Sequence, residues 1–105
     1  MKGAPWRYFG TREVPLARAW AAAGGVAVHE NPFRLRGHRT AHLLAATEAD
    51  LLEAARAVGC RDEWIQRTRT LHFDLILEAL EAALRKCGVD PARPPARRVW
   101  TAGVV

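Results

Sequence analysis

A chain of 105 residues that is 50% hydrophobic and 26% charged has the make-up of one soluble globular domain, able to bury roughly two-thirds of its unfolded surface without a metal or disulfide staple. No apolar run approaches the ~20 residues of a membrane helix. The chain contains no serine, which excludes a Ser-His-Asp hydrolase. The formal net charge of +5 is carried mainly by arginine, whose fork suits phosphate and carboxylate, so anionic partners are favoured.

The start of the chain, Met1-Lys2-Gly3-Ala4-Pro5-Trp6, lacks the apolar stretch of a secretory signal. Cys60 and Cys87 are far apart and outside any Cys-x-x-Cys spacing. They read as two reduced thiols near helix ends, which together with the missing signal gives a cytoplasmic expectation. No period is visible from Met1 to Gly10, where Trp6, Tyr8 and Phe9 stand beside Lys2 and Arg7. A helix is expected from Thr11 or Val14 to Ala23, with Thr11 as N-cap, Pro15 in the first turn, and Leu16, Trp20 and Ala23 on one face. Gly24-Gly25 ends it.

Val26 to His29 reads as a short strand and Glu30-Asn31-Pro32 as a turn. Phe33 to His38 is a basic loop holding Arg34, Arg36 and His38. Arg39 to Ala46 is the second strand, with Thr40, His42 and Leu44 facing one way and Ala41, Leu43 and Ala45 the other; apolar residues on both sides suit a strand covered twice. Thr47 then opens the best-marked helix, because Thr47-x-x-Asp50 matches a capping box. Leu51, Leu52, Ala55 and Val58 form its buried stripe, and Gly59 follows it.

Arg61 to Gln66 is expected as a helical turn with Trp64 and Ile65 inward, and Arg67 to Thr70 as a polar loop. Asp74 is expected to open the last helix as its N-cap, with Leu75, Ile76, Ala79, Leu80, Ala83, Leu84 and Cys87 at helical spacing and Glu81–Arg85 as an i,i+4 pair. Pro91, Pro94 and Pro95 stiffen a tail in which Arg97-Arg98 precede a short strand at Val99 to Thr101. The fold expected is a single small α/β or α+β domain, two or three short strands packed by two to three helices. Residues 1–25 form an N-terminal extension with a helix, 26–89 the core and 90–105 a Pro/Arg-rich tail.

Residues 26–89 resemble the domain-of-unknown-function family 4031, small bacterial and phage domains. The resemblance rests on Val26-Ala27-Val28-His29-Glu30, Ala41-His42-Leu43-Leu44-Ala45-Ala46, Trp64-Ile65-Gln66, His72-Phe73-Asp74 and Cys87-Gly88-Val89. The chain departs from that pattern in three places. Glu30 beside Asn31 replaces an acidic pair, Ala46 an aspartate, and Ala82-Ala83 weaken the basic positions of the last helix. The family carries no assigned reaction, so the resemblance implies an architecture and a set of positions rather than an activity.

His29, Glu30, His38, His42, His72 and Asp74 lie near element ends, where sites gather. Imidazoles and carboxylates are common ligands of a divalent metal with one position left open for water, though no signature such as His-Glu-x-x-His is present. The expected site has His42, His72 and Asp74 as metal ligands and catalytic groups. Glu30 is an extra ligand or base; Gln66, Arg39, Arg36 and Trp64 are binding residues. Each has a bland alternative: Asp74 as a cap, His42 as a bonded core histidine, Trp64 as core. The corresponding function is a metal- or phosphate-binding, hydrolase-like domain acting on a phosphorylated small molecule or nucleic acid. The alternatives are a non-enzymatic basic module for nucleic acid or an acidic partner, built on Arg34, Arg36, His38, Arg39, Arg67, Arg69, Arg97 and Arg98, and a homo-oligomer joined through Trp6, Tyr8, Phe9 and Trp100. No membrane partner is expected. There is no Gly-x-Gly-x-x-Gly or Walker loop, so nucleotide binding of those kinds is not expected.

Overall fold

A computed structural model of the chain describes residues 3–92; the anticipated strand at Val99 to Thr101 and the Arg97-Arg98 pair lie outside them. The elements run β1 (Trp6–Phe9), α1 (Val14–Ala22), β2 (Val26–Glu30), β3 (Ala41–Leu44), α2 (Glu48–Ala57), a 3-10 turn (Asp62–Trp64), β4 (Gln66–Arg67), β5 (Leu71–Leu75) and α3 (Leu77–Lys86). Five strands form one mixed sheet in the order β1-β2-β3-β5-β4, an α+β arrangement. β1 and β2 are parallel, and the remaining pairs antiparallel.

The N-terminal segment is part of this sheet rather than an extension of it. Trp6-Arg7-Tyr8-Phe9 is aromatic-rich, suits a pleated surface, and pairs Trp6 to Val26 through Phe9 to His29. α1 is the crossover a parallel pair requires. Its N-cap is Glu13, not Thr11, and Glu13 Oε1 accepts from the Gly10 N–H at 2.7 Å. Its buried stripe is Ala17 and Ala21, whereas Leu16 is exposed. Two alanines let the helix axis come close to the sheet. The return is equally tight: a Cβ on Gly25 would overlap the Trp20 indole, whose Nε1–H donates to the Pro5 carbonyl at 3.2 Å.

Side-chain alternation along the strands sorts the sheet into two unlike faces. On one, Val26, Val28, Ala41, Leu43, Phe73 and Leu75 pack against Leu51, Ala54, Ala55 and Val58 of α2 and Leu80, Ala83 and Leu84 of α3. On the other, Phe9, Ala27 and Leu44 pack on Ala17, Ala21 and Trp20. α2 follows its expected cap, Thr47 Oγ1 accepting from the Asp50 N–H at 3.1 Å, and turns out through Gly59 at φ 91°.

The third helix departs from expectation. Asp74 lies inside β5, opposite His42, and the N-cap position belongs to Ile76, with no side-chain cap. The apolar positions at Leu71, Phe73 and Leu75 alternate with His72 and Asp74, a period-2 pattern whose end merges into the helical spacing that follows. Gln66-Arg67 also pairs, as edge strand β4, and Trp64 is half exposed rather than inward. Among the described residues, no helix is long and apolar enough to cross a membrane.

Candidate metal centre

α1 packs on β1, β2 and Leu44 of β3 and leaves the half of its face toward β5 open. The open half carries a row of polar side chains. His29 stands opposite His42, and His42 opposite Asp74, in neighbouring strands; His72, two residues before Asp74, faces the same side. Cross-strand pairing thus brings together residues that lie 32 positions apart in the chain. His42, His72 and Asp74 each offer a ligand atom within 4.8 Å of the others. Asp74 Oδ1 lies 3.4 Å from His42 Nε2 and 3.3 Å from His72 Nε2. The two rings are 4.6 Å apart between centroids, and the His29 ring is 6.0 Å from that of His42.

Hydrogen bonds fix where the protons are. His72 Nδ1 is 2.9 Å from the Thr70 carbonyl oxygen. A carbonyl only accepts, so Nδ1 carries the hydrogen and neutral His72 turns a bare Nε2 toward Asp74. The Asn31 amide is oriented by its own turn: Oδ1 accepts from the Phe33 N–H at 2.9 Å, which leaves Nδ2 to donate to His42 Nε2 at 3.3 Å. Neutral His42 therefore also presents Nε2 as an acceptor. With both rings in the neutral form, two Nε2 lone pairs and a carboxylate oxygen face one another, the His42 one also accepting from Asn31. Such a hollow favours a cation or a proton.

Burial, and then the neighbouring His72, push the His42 pKa below the ordinary imidazole range, against the opposing pull of Asp74. His29 is buried; its Nε2–H donates to the Thr11 carbonyl at 3.3 Å, and burial lowers its pKa as well. Both imidazoles are thus held neutral, the form that binds metal. Thr40 precedes His42 by two residues, so strand alternation puts it on the same side; its buried hydroxyl has no hydrogen-bond partner among the described residues. A cleft of about 310 Å³ opens beside the cluster, lined by Val14, Arg18, His29, His42, Leu44, Thr68, Arg69, Thr70 and His72.

The other expected site residues are placed elsewhere. Glu30 alternates to the helix-covered face. It accepts from Tyr8 Oη at 2.7 Å and takes a two-pronged pair from Arg39, Nε to Oε2 at 2.8 Å and Nη2 to Oε1 at 2.7 Å. The carboxylate and the guanidinium therefore satisfy each other instead of reaching a substrate. Burial and the Glu30 bond push the Tyr8 hydroxyl well above its ordinary pKa. Arg36 lies in the exposed 33–38 loop at φ 52°. Gln66 is opposite His72 in the ladder but exposed, its Nε2 3.4 Å from the Trp64 carbonyl. Arg67 pairs with Glu48 at 2.8 Å.

Sequence reading missed Arg18, Asn31, Thr68 and Thr70 as neighbours of this cluster, and offered Arg69 only as part of the basic module. Only Asn31, directly after a strand ending in His-Glu, carried a local signal. No family model, curated protein or solved structure matches this chain.

Proposed function

We propose that this chain is a metal-dependent, hydrolase-like protein in which His42 Nε2, His72 Nε2 and Asp74 Oδ1 hold a divalent ion. The observation that carries the reading is the convergence of three electron pairs on one hollow, with His72 locked in the metal-binding tautomer by the Thr70 carbonyl. An outer hydrogen bond of this kind is the usual companion of a ligating histidine. Ligand atoms about 2.0–2.1 Å from a tetrahedral zinc are about 3.3–3.4 Å apart. The two Asp74 distances, 3.4 and 3.3 Å, agree with that edge. The edge between the imidazoles is at most 4.8 Å, wide enough that the ion draws the rings together as it enters, displacing the Asn31 N–H from His42.

Two imidazoles and one carboxylate leave a fourth position, toward the cleft, for water with a lowered pKa. Hydrolysis of a phosphate monoester then balances simply. The water loses a proton to solvent, its oxygen bonds to phosphorus, the P–O bond to the alcohol breaks, and the departing oxygen takes a proton from solvent. The resemblance to domain-of-unknown-function family 4031 belongs to the same reading, since His72-Phe73-Asp74 is one of the segments that carry it.

Calorimetric titration of chelator-treated protein with Zn²⁺ tests it. One ion bound per chain, lost in His42→Ala, His72→Ala and Asp74→Asn, together with zinc-dependent release of nitrophenol from nitrophenyl phosphate, is the expected result. Wild-type protein that takes up no zinc, cobalt or manganese overturns it.

A further inference from the structure

We infer that the cleft beside the His42–His72–Asp74 cluster binds the phosphoryl group of a phosphate monoester, with Arg18 and Arg69 as its cationic clamp. The inference deepens the metal reading and rests on it for the third contact, the ion itself. Arg39, Arg56, Arg61, Arg67 and Arg85 each pair with a carboxylate. Arg18 and Arg69 line the cleft and have no ion-pair or hydrogen-bond partner among the described residues. Arg18 stands close enough to His29 to disfavour a second positive charge there.

The nearby acids are already engaged. Glu13 accepts from Gly10, Glu30 is held by Tyr8 and Arg39 on the other face, and Asp74 faces the two imidazoles. Two guanidiniums lining the cleft, with a divalent ion held beside it, would make a cationic receptacle for a doubly charged anion. Val14, the first residue of α1, also lines the cleft, so the positive end of that helix borders it. Val14 and Leu44 supply the apolar surface against which a compact, planar alcohol group fits. The cleft volume of about 310 Å³ is that of a small-ligand site, near the low end of the usual range.

The test uses phenyl phosphate as probe, titrated into zinc-loaded and zinc-free protein, wild type, Arg18→Gln, Arg69→Gln and the double variant, with thermal unfolding of each as a folding check. Zn²⁺ is titrated into the same set. Each single substitution is expected to weaken phenyl phosphate about tenfold or more, the loss of one charge-assisted contact, while zinc affinity stays within about threefold. Benzyl alcohol, with the ring but no charge, is expected not to bind. If zinc binds none of the proteins, arginine-dependent binding to the zinc-free form still upholds the clamp while the metal reading falls. Unchanged binding in the folded double variant, or none at millimolar probe to wild type in either zinc state, overturns the clamp. So does binding of a single-stranded oligonucleotide without binding of phenyl phosphate, which would move this surface to nucleic-acid recognition.

Discussion

Asp74→Asn is the sharpest test of the metal centre, because it keeps the side chain's shape and removes the negative charge between His42 and His72. A ligand that binds only the folded state stabilises it by RT ln(1 + [L]/Kd), about 2.7 kcal/mol at one hundred times Kd. For a domain of this size that raises Tm by about 10–20 °C. Loss of an outer hydrogen-bond partner of a metal ligand already weakens binding by about 10–100-fold. Asp74 is itself one of the three proposed ligands, its Oδ1 3.4 and 3.3 Å from the two nitrogens, so its loss is expected to cost at least about 100-fold. At the same zinc concentration the ratio to Kd falls to about one, and the gain shrinks to about 0.4 kcal/mol, or 2–3 °C. Differential scanning fluorimetry with and without zinc, with EDTA to reverse it, reads both proteins directly. Equal zinc shifts in wild type and Asp74→Asn would refute the assignment of Asp74 as a ligand.

Arg39→Ala leaves Glu30 buried, with Tyr8 as its remaining partner, and is expected to cost about 3–5 kcal/mol in urea unfolding; Tyr8→Phe, which spares the ion pair, should cost about 1.5–3 kcal/mol. A pair worth less than 1 kcal/mol would mean that it behaves as a solvated surface bridge. His29 is buried and neutral with its pKa pushed down, so below the ordinary imidazole range near 6.5 the unfolded chain takes up protons that the folded one refuses. Stability of zinc-free protein is therefore intact above that range and falls as pH drops through it, and His29→Gln should flatten this slope in unfolding curves taken from pH 7.5 to 5. Burial pushes the Cys60 thiol up and Cys87 up to about 12, so neither should react with a thiol reagent at pH 8 until urea unfolds the chain; prompt labelling of the native protein would show that either thiol is accessible as thiolate.

How far the chain could be read depended on whether a local pattern had one physical solution. Thr47-x-x-Asp50 followed by apolar residues at helical spacing does, and α2 forms from Glu48 to Ala57 behind that cap. The alternation around His42 likewise placed its side chain correctly. His72-Phe73-Asp74 has two solutions, since an aspartate before Leu-Ile can cap a helix or continue a strand. The local signal favours the cap. Pairing of His42 with Asp74 and Leu43 with Phe73 in β3–β5 decides for the strand, and no local window contains that contact. Trp6 to Phe9 is missed for a related reason: four residues show too little period, and their partner strand lies twenty residues downstream.

The site itself follows from an imbalance in how the sheet is covered. α2 and α3 together pack on one face, where β1, β2, β3 and β5 contribute apolar side chains. α1 is a single helix about 10–12 Å across that returns the chain between the parallel strands β1 and β2, while five strands about 4.8 Å apart span some 19 Å. It cannot screen the whole of its face, and its alanine stripe settles over Phe9 of β1, Ala27 of β2 and Leu44 at the end of β3. On β3 and β5 the same face is free to carry His42, His72 and Asp74 partly hydrated, with side-chain exposures of 32%, 14% and 29%. That degree of exposure suits a ligand set, wet enough to admit an ion and dry enough to push the His42 pKa down. Replacing Arg18 and Arg69, which line the cleft, by leucines would be expected to close it with apolar surface and keep the fold, because the helix-backed core on the other face does not depend on it.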